Sequence, residues 1–279
     1  MLIETHCHTV YSKQMKIKWE GTNTPAEMVE RAKNLGIGAL CITDHDNIKA
    51  WPEAIEAGKK HGVFVVPGTE ISSADGHILG LGLNELIPKK LSAEETIDRI
   101  HQQGGFAIAA HPFDIKGLGI QDKIKYADGI EIFNSLNVDK VANWLTKRKS
   151  KDLGKPLFAG SDAHSADMLG MSLNEISGDV HTVDDFISAL KNGKVSIAKS
   201  DYQPANVIIE WTRERMARSY FDIVDYVNMH YWAPKMQLSK FMLNRFVYSK
   251  SRTLDYTWKA MAEFAFRMST VYGGLKLLI

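Results

Sequence analysis

Leu2-Ile3-Glu4-Thr5-His6-Cys7-His8 (LIETHCH, residues 2–8) reads as a short apolar strand that ends in two histidines. In a strand, residues two apart point to the same face. His6 and His8 therefore project side by side, and Cys7 points the other way. Two imidazoles on one face make half of a tetrahedral metal site. SDAH (161–164) repeats the arrangement, with Asp162 and His164 two apart at the end of the PLFAG run. A fold that brings these two strand ends together would assemble a metal centre.

Outward from this stretch, short apolar runs alternate with amphipathic helical ones as far as about Asp201. The candidate strands are Leu2–His8, Ala39–Thr43, Val63–Pro67, Ile78–Leu83, Ala107–Ala110, Gly129–Phe133, Pro156–Ala159 and Val195–Ala198. They are bounded by Gly, Pro, Asp or Asn, as buried parallel strands tend to be. Helix ends are marked between them. Thr24 precedes Pro25 and Gly36 follows; Ser92 with Glu95 forms a capping-box pattern closed by Gly104; Thr182 with Asp185 opens a helix ending near Asn192–Gly193. The alternation predicts a parallel α/β fold with helices outside, and seven or eight units in about 200 residues suit a barrel.

In a parallel barrel, the residues just after each strand converge on one rim. Six histidines fall at the end of an apolar run or at the head of one: His6, His8, His45, His77, His111 and His164. The carboxylates Asp44, Asp46, Glu70 and Asp162 accompany them. A carboxylate such as Glu70, after VVPGT, can bridge two cations where an imidazole cannot. A lone histidine near a strand end is usually a hydrogen-bonded or capping residue, and His61, His101, His181 and His230 are read that way. Recurrence at successive strand ends sets the other six apart. A set of imidazoles and carboxylates suits zinc, manganese or iron, and its lack of thiols argues against a structural zinc site.

At 279 residues the chain fits one barrel plus an appendage, and its 44% hydrophobic and 24% charged residues are ordinary for a soluble protein. Cys7 and Cys41 make no disulfide framework, so a reducing compartment, the cytoplasm, is expected. A basic segment followed by an apolar stretch is missing at the N-terminus, so no secretory signal is expected. No uncharged apolar run reaches the length of a membrane span. The formal charge of +1 hides a split: residues 205–279 carry a net +5, and the rest about −4. The same segment holds 14 of the 26 aromatics. This shift divides the chain into a barrel domain, 1–204, and a helical C-terminal extension, 205–279. Two to four helices are expected in the extension, interrupted at Pro234. Their Trp, Met and Phe at helical spacing are expected to pack against the barrel or each other. The interleaved basic and aromatic residues of WTRERMARSYF (211–221) and NRFVYSKSR (244–252) also fit a homo-oligomer interface or a nucleic-acid surface.

The motifs HCHTVYS (6–12), ITDHD (42–46), PGTEIS (67–72), HILG (77–80), AHP (110–112) and SDAH (161–164), in this order, resemble those of the PHP (polymerase and histidinol phosphatase) superfamily over about residues 1–200. The resemblance implies a distorted (β/α)7 PHP-type barrel and a di- or trinuclear centre of two or three divalent ions that hydrolyses phosphate esters. By resemblance, His6, His8, Glu70 and Asp162 would hold the first metal. Glu70, His77 and His111 would hold the second. His45 and His164 would hold the third, with a residue from the loop after the two histidines. The family usually has Asp or His there; this chain has Lys13 and Gln14, and Glu20–Gly21 followed by Pro25 looks like the displaced pattern, so Glu20 is the expected ligand.

Asp44 and Asp46 are candidate catalytic carboxylates that could orient a metal-bound imidazole, and capping of the next helix is an equal reading for Asp46. Lys13, Lys16 and Lys18 make the loop basic, which favours an anionic substrate or is an ordinary charged loop. Asn134 is a candidate substrate contact, or a cap for a helix starting near Asn137. HILG resembles the branch of the family acting on nucleotides and short oligonucleotides. The insertion of that branch is missing, since only 33 residues lie between His77 and His111, and its role would pass to the C-terminal helices. A small phosphorylated metabolite or nucleotide is the leading substrate class. The alternatives are nuclease-like action on DNA or RNA ends and a non-catalytic, metal-stabilised module.

Overall fold

The computed structural model describes residues 1–13, 18–137 and 139–276; Lys16 lies outside them. Nine strands form one sheet: β1 (Leu2–Glu4), β2 (Ala39–Ile42), β3 (Phe64–Ser72), β4 (His77–Leu81), β5 (Phe106–Ala109), β6 (Gly129–Asn134), β7 (Leu157–Gly160), β8 (Ser172–Ile176) and β9 (Val195–Ser200). Their order is β7-β6-β5-β4-β3-β2-β1-β8-β9. A parallel bridge between Cys7 and Ala163 joins the segments that follow β1 and β7, so the first seven strands curl into a nearly closed barrel.

The expected all-parallel sheet needs correction. β4 runs antiparallel to β3 and β5, and β8 runs antiparallel to β1 and β9. Only four residues, 73–76, join β3 to β4. A tight connection of this kind allows antiparallel pairing, whereas a parallel neighbour needs a crossover of a dozen residues or more. β1 is also shorter than expected. It stops at Glu4, whose own carboxylate accepts the backbone N–H groups of Thr5 and His6, at 3.1 and 3.2 Å.

Strand residues alternate between two apolar clusters. Leu40, Ile42, Ala107 and Ala109 pack with Met28, Val29 and Ala32 of α1 (Pro25–Asn34). Ala39, Cys41, Ile108 and Phe106 pack with Leu79, Leu81 and Phe158 instead. A strand buried on both faces reads as a continuous apolar run, as ALCI does. Around the barrel lie α1, α2 (Trp51–His61), α3 (Ala93–Gln102), α4 (Val141–Ser150) and α5 (Val183–Lys191). Thr24 with Glu27, Ser92 with Glu95, and Thr182 with Asp185 all form complete capping boxes, which satisfy orphan N–H groups at the helix starts.

Residues 205–276 form α6 (Ala205–Arg218), α7 (Tyr220–His230), α8 (Ala233–Tyr248) and α9 (Arg252–Lys276), with Pro234 inside the first turn of α8. Burial here is lower than the apolar density predicts. Ile209, Val227, Leu243 and Val247 are buried, but Phe221 is 80% exposed, Trp232 70% and Tyr256 75%. These helices carry apolar residues on more faces than they pack. Among the described residues, no helix is long and apolar enough to cross a membrane.

Candidate metal centre

β3 delivers the residue around which the site is built. Glu70 is buried, and both of its carboxylate oxygens face imidazoles. Oε1 lies 2.8 Å from His77 Nδ1 and 3.0 Å from His111 Nε2. Oε2 lies 3.2 Å from His6 Nε2, 3.3 Å from His8 Nε2 and 3.3 Å from His45 Nδ1. Asp162, after β7, adds a second carboxylate, with Oδ1 3.4 Å from His6 Nε2 and 3.2 Å from His8 Nε2. Glu20 adds a third, with Oε2 3.4 Å from His45 Nε2 and Oε1 3.5 Å from His164 Nε2. All nine residues expected as ligands thus meet at one end of the barrel.

The donor set fits divalent cations. Ligands held about 2.0–2.2 Å from one ion lie roughly 3–3.5 Å from each other. The separations above fall in that range except for the 2.8 Å between His77 and Glu70, and among the described residues four triads of potential ligands lie together: His6/His8/Glu70, His6/His111/Asp162, His8/Asp162/His164 and His45/Glu70/His77. Hydrogen bonding alone does not satisfy the cluster. His6 Nε2 and His8 Nε2 face each other at 3.2 Å, and the buried Nδ1 atoms of His45 and His77 have no hydrogen-bond partner despite lying near Glu70. On the far side of the rings, His6 Nδ1 pairs with Glu131 Oε1 at 2.9 Å, and His164 Nδ1 with the Asp162 carbonyl at 2.8 Å. Such pairing fixes the tautomer and turns the Nε2 lone pair inward.

Charge in the cluster is mutually dependent. Burial pulls the His8 pKa down, but hydrogen bonds to Asp162 and Glu70 lift it to about 10. His111 is raised to about 8 against burial by its bond to Glu70. Burial opposes ionisation of Glu70 and Asp162, yet the surrounding imidazoles hold both well below the usual carboxylate range. Burial lowers His45 to about 4. A cation held here would compete with protons for these imidazoles. The backbone is strained at the same place: His111 has φ 26°, Asp162 φ 48° and Asp46 φ 45°. Such values are uncommon for residues other than glycine and gather at functional sites.

Four other expected site residues belong neither to the cluster nor to the cleft lining. Asp44 accepts the Thr9 N–H at 2.6 Å and the Thr9 hydroxyl at 2.7 Å. Asp46 accepts the Ser72 N–H at 2.8 Å. Neither orients an imidazole, nor does Asp46 cap α2, which begins at Trp51. Lys13 is exposed and sits over the Trp19 ring, 5.2 Å from its centroid. Asn134 is buried and donates to Glu131 and Asp162, at 3.0 and 3.2 Å, so it steadies carboxylates.

The residues that do orient imidazoles or line the cleft were partly hidden in the sequence. Glu131 interrupts the apolar run GIEIF, and a buried acid in a strand interior is the signal that could have found it. It fits because Gly160 has no Cβ, which would overlap its carboxylate. The cleft has a volume of about 280 Å³. It is lined by the cluster apart from His6 and His8, by Asp114, Asn137 and Asp139, by Ile115, Lys116, Leu118 and Leu136, and by Ile208, Trp211 and Arg215 of α6.

Glu4 supports the site from below and yields a test. It is fully buried, its Oε1 accepts the N–H groups of Thr5, His6 and Ser161, and its Oε2 has no partner. Burial raises its pKa from 4.5 to about 7, against those hydrogen bonds. In the unfolded chain Glu4 ionises first, so its contribution to stability falls as pH rises through that window. Glu4→Gln is expected to cost about 1–3 kcal/mol near pH 4.5, because its buried amide hydrogens lack an acceptor. It should recover roughly 3 kcal/mol relative to wild type above pH 7, from a shift worth 1.36 kcal/mol per pKa unit. Denaturant unfolding at both ends of the window checks this, and parallel curves for the two proteins would refute it.

Comparisons with known proteins agree with this geometry. A family model described as PHP-associated matches residues 140–195. An uncharacterised protein of Methanocaldococcus jannaschii is 41% identical over 165 residues, which are 57% of this chain and 96% of that protein. A 5'-3' exoribonuclease of Haemophilus influenzae is 36% identical over 90 residues, 31% of this chain and 30% of the exoribonuclease. Among solved structures, a two-domain Bacteroides vulgatus protein containing a predicted PHP-like metal-dependent phosphoesterase superposes with a TM-score of 0.59 at 16% identity, covering 77% of this chain and 69% of that one. The last similarity is one of fold.

Proposed function

The chain belongs to the PHP superfamily of metal-dependent phosphoesterases, and we propose that it hydrolyses small phosphate esters, phosphorylated metabolites or nucleotides, at a centre of two or three zinc, manganese or iron ions. The observation that carries this reading is the position of Glu70, whose two oxygens face different sets of imidazoles and so can be shared between cations. His6, His8, Glu70 and Asp162 would hold one ion, Glu70, His77 and His111 a second, and His45, His164 and Glu20 a third. When bound, such ions polarise phosphoryl oxygens and lower the pKa of a water towards neutrality.

The protein's own groups do the rest. Glu131 holds the His6 ring through Nδ1, and Asn134 holds Asp162 and Glu131 in turn. Arg215 and Lys116 bring positive charge to the cleft, where a phosphate would be recognised. Ile115, Leu118, Leu136, Ile208 and Trp211 offer apolar surface for the leaving group. At about 280 Å³ the cleft lies just below the usual ligand-pocket range, roughly 300–1,000 Å³, which favours a compact ester over a polymer. In this reading, residues 1–204 are the catalytic barrel and 205–279 an extension that contributes one wall.

The test is product release from mono- and diester p-nitrophenyl phosphates, comparing wild type with His8→Ala. Loss of hydrolysis in the variant supports the reading, and equal rates would end it. Arg215→Met should raise KM roughly 10-fold or more, since a charge-assisted hydrogen bond is worth about 1.5–3 kcal/mol. An unchanged KM would remove Arg215 from substrate binding. A second reading, action on DNA or RNA ends, is favoured by the +5 charge and exposed aromatics of 205–279 and by the exoribonuclease relative. It requires nucleic-acid binding that weakens steeply with salt.

A further inference from the structure

Glu20 reaches the cluster on a loop, and the helical extension grips that loop residue by residue. Trp211 of α6 donates its indole N–H to the Glu20 carbonyl at 2.8 Å. One turn further along, Arg215 donates to the Trp19 carbonyl at 3.3 Å, and Arg218 lies 5.8 Å from the Trp19 ring centroid. Lys18 pairs with Asp222 of α7 at 2.6 Å. From the barrel side, the Glu20 N–H donates to the Ser12 carbonyl at 3.2 Å, and Thr22 donates to the His164 carbonyl at 2.9 Å. Gly21 lies so close to Thr9 that a Cβ would overlap its carbonyl. The loop is therefore held between the barrel mouth and α6.

We propose that Trp211 is a positioning residue for one cation only: it sets Glu20 against His45 and His164, so that loading of this position depends on the seating of α6. The inference rests on the metal reading above. Two contacts make it selective. The Trp211 N–H fixes the backbone of Glu20, and its ring stands 4.9 Å from the ring of His164, so one side chain touches two members of the same ligand set. Among the other ligands, His6 is oriented from within the barrel through Glu131 and His111 through its backbone N–H to Glu131, while Ser12 Oγ lies 3.2 Å from His8 Nδ1 and donates to Glu20 Oε2 at 3.3 Å. Removing the indole should loosen Glu20 and leave Glu70, Asp162, His6 and His8 in place. Residues outside the barrel thus become part of the metal centre, which the run of motifs ending at His164 does not reveal.

The experiment uses the full chain equilibrated with Mn2+ alone, desalted, and analysed for metal content, with thermal unfolding recorded alongside. Wild type, Glu20→Gln, Trp211→Leu and Trp211→Phe are compared. Glu20→Gln and Trp211→Leu should each carry about one ion fewer per chain than wild type and keep the rest. Trp211→Phe keeps a ring beside His164 and loses only the donor, so it should weaken that one ion roughly 10-fold, at the low end of the loss caused by removing an outer partner. This milder variant decides the matter if Trp211→Leu does not fold. Full loading of both Trp211 variants beside a deficient Glu20→Gln would overturn the proposal, as would equal loading of wild type and Glu20→Gln, or parallel loss of all ions in a folded Trp211 variant. A wild type that binds no Mn2+ would overturn the metal reading itself, and this inference with it.

Discussion

Glu70→Gln should reduce phosphate-ester hydrolysis to the level of His8→Ala, well beyond the roughly 10–100-fold cost of removing an outer partner from a metal site. The substitution preserves volume but turns one acceptor oxygen into a two-hydrogen donor. Oε1 faces His77 and His111, and Oε2 faces His6, His8 and His45, so either amide orientation sets a donor against imidazole nitrogens. The negative charge shared by these rings is lost as well. Without it, the raised pKa values of His8 and His111 should fall back, since Glu70 is among the causes of both. Metal content and kcat/KM measured together check this prediction. Activity within tenfold of wild type would show that Glu70 does not bridge.

Glu131→Gln should lower metal affinity or kcat/KM roughly 10–100-fold although Glu131 is not one of the proposed ligands. Its Oε1 accepts from His6 Nδ1, and its Oε2 accepts from the His111 N–H and from Asn134 Nδ2. All three partners are donors, and a glutamine can serve only one side. If the amide nitrogen faces His6, the ring proton is driven to Nε2 and the lone pair that points into the cluster disappears. If it faces the other way, the strained backbone at His111, φ 26°, loses an anchor. Glu131→Asp keeps the charge but falls short by one methylene, and should lie between wild type and Glu131→Gln. A Glu131→Gln protein with wild-type metal affinity and rate would remove Glu131 from the working site.

The strand-end histidines were legible in the sequence because a barrel gathers the ends of its strands, whatever their separation along the chain. That rule needs only the period of the apolar runs, which LIETHCH and PLFAG both display. Strand direction was not legible. An apolar run such as HILGL carries no sign of whether it pairs parallel or antiparallel. β8 was missed for a different reason. Its Ser172 and Asn174 are buried polar residues that bond to Ser161, Ala159 and Thr5, so SLNEI lacks the pattern of a core strand. Asp44 and Asp46 flank His45 in DHD, but donors 35 and 26 positions away, Thr9 and Ser72, decide where their carboxylates point. Nothing in the spacing specifies those donors. The contribution of α6 was foreseen only as a role for the C-terminal helices in shaping the substrate site; the contact of Trp211 with Glu20 spans 191 positions and has no local signature.

The most direct measurement is the rate of bis-p-nitrophenyl phosphate and p-nitrophenyl phosphate hydrolysis by the full chain after chelation, followed as Mn2+ or Zn2+ is titrated back. Hydrolysis of at least one ester should be negligible after chelation, rise saturably with added metal, and fail to rise in His8→Ala. Hydrolysis that persists undiminished after chelation, or that does not appear with either ester at any metal concentration, would contradict the account.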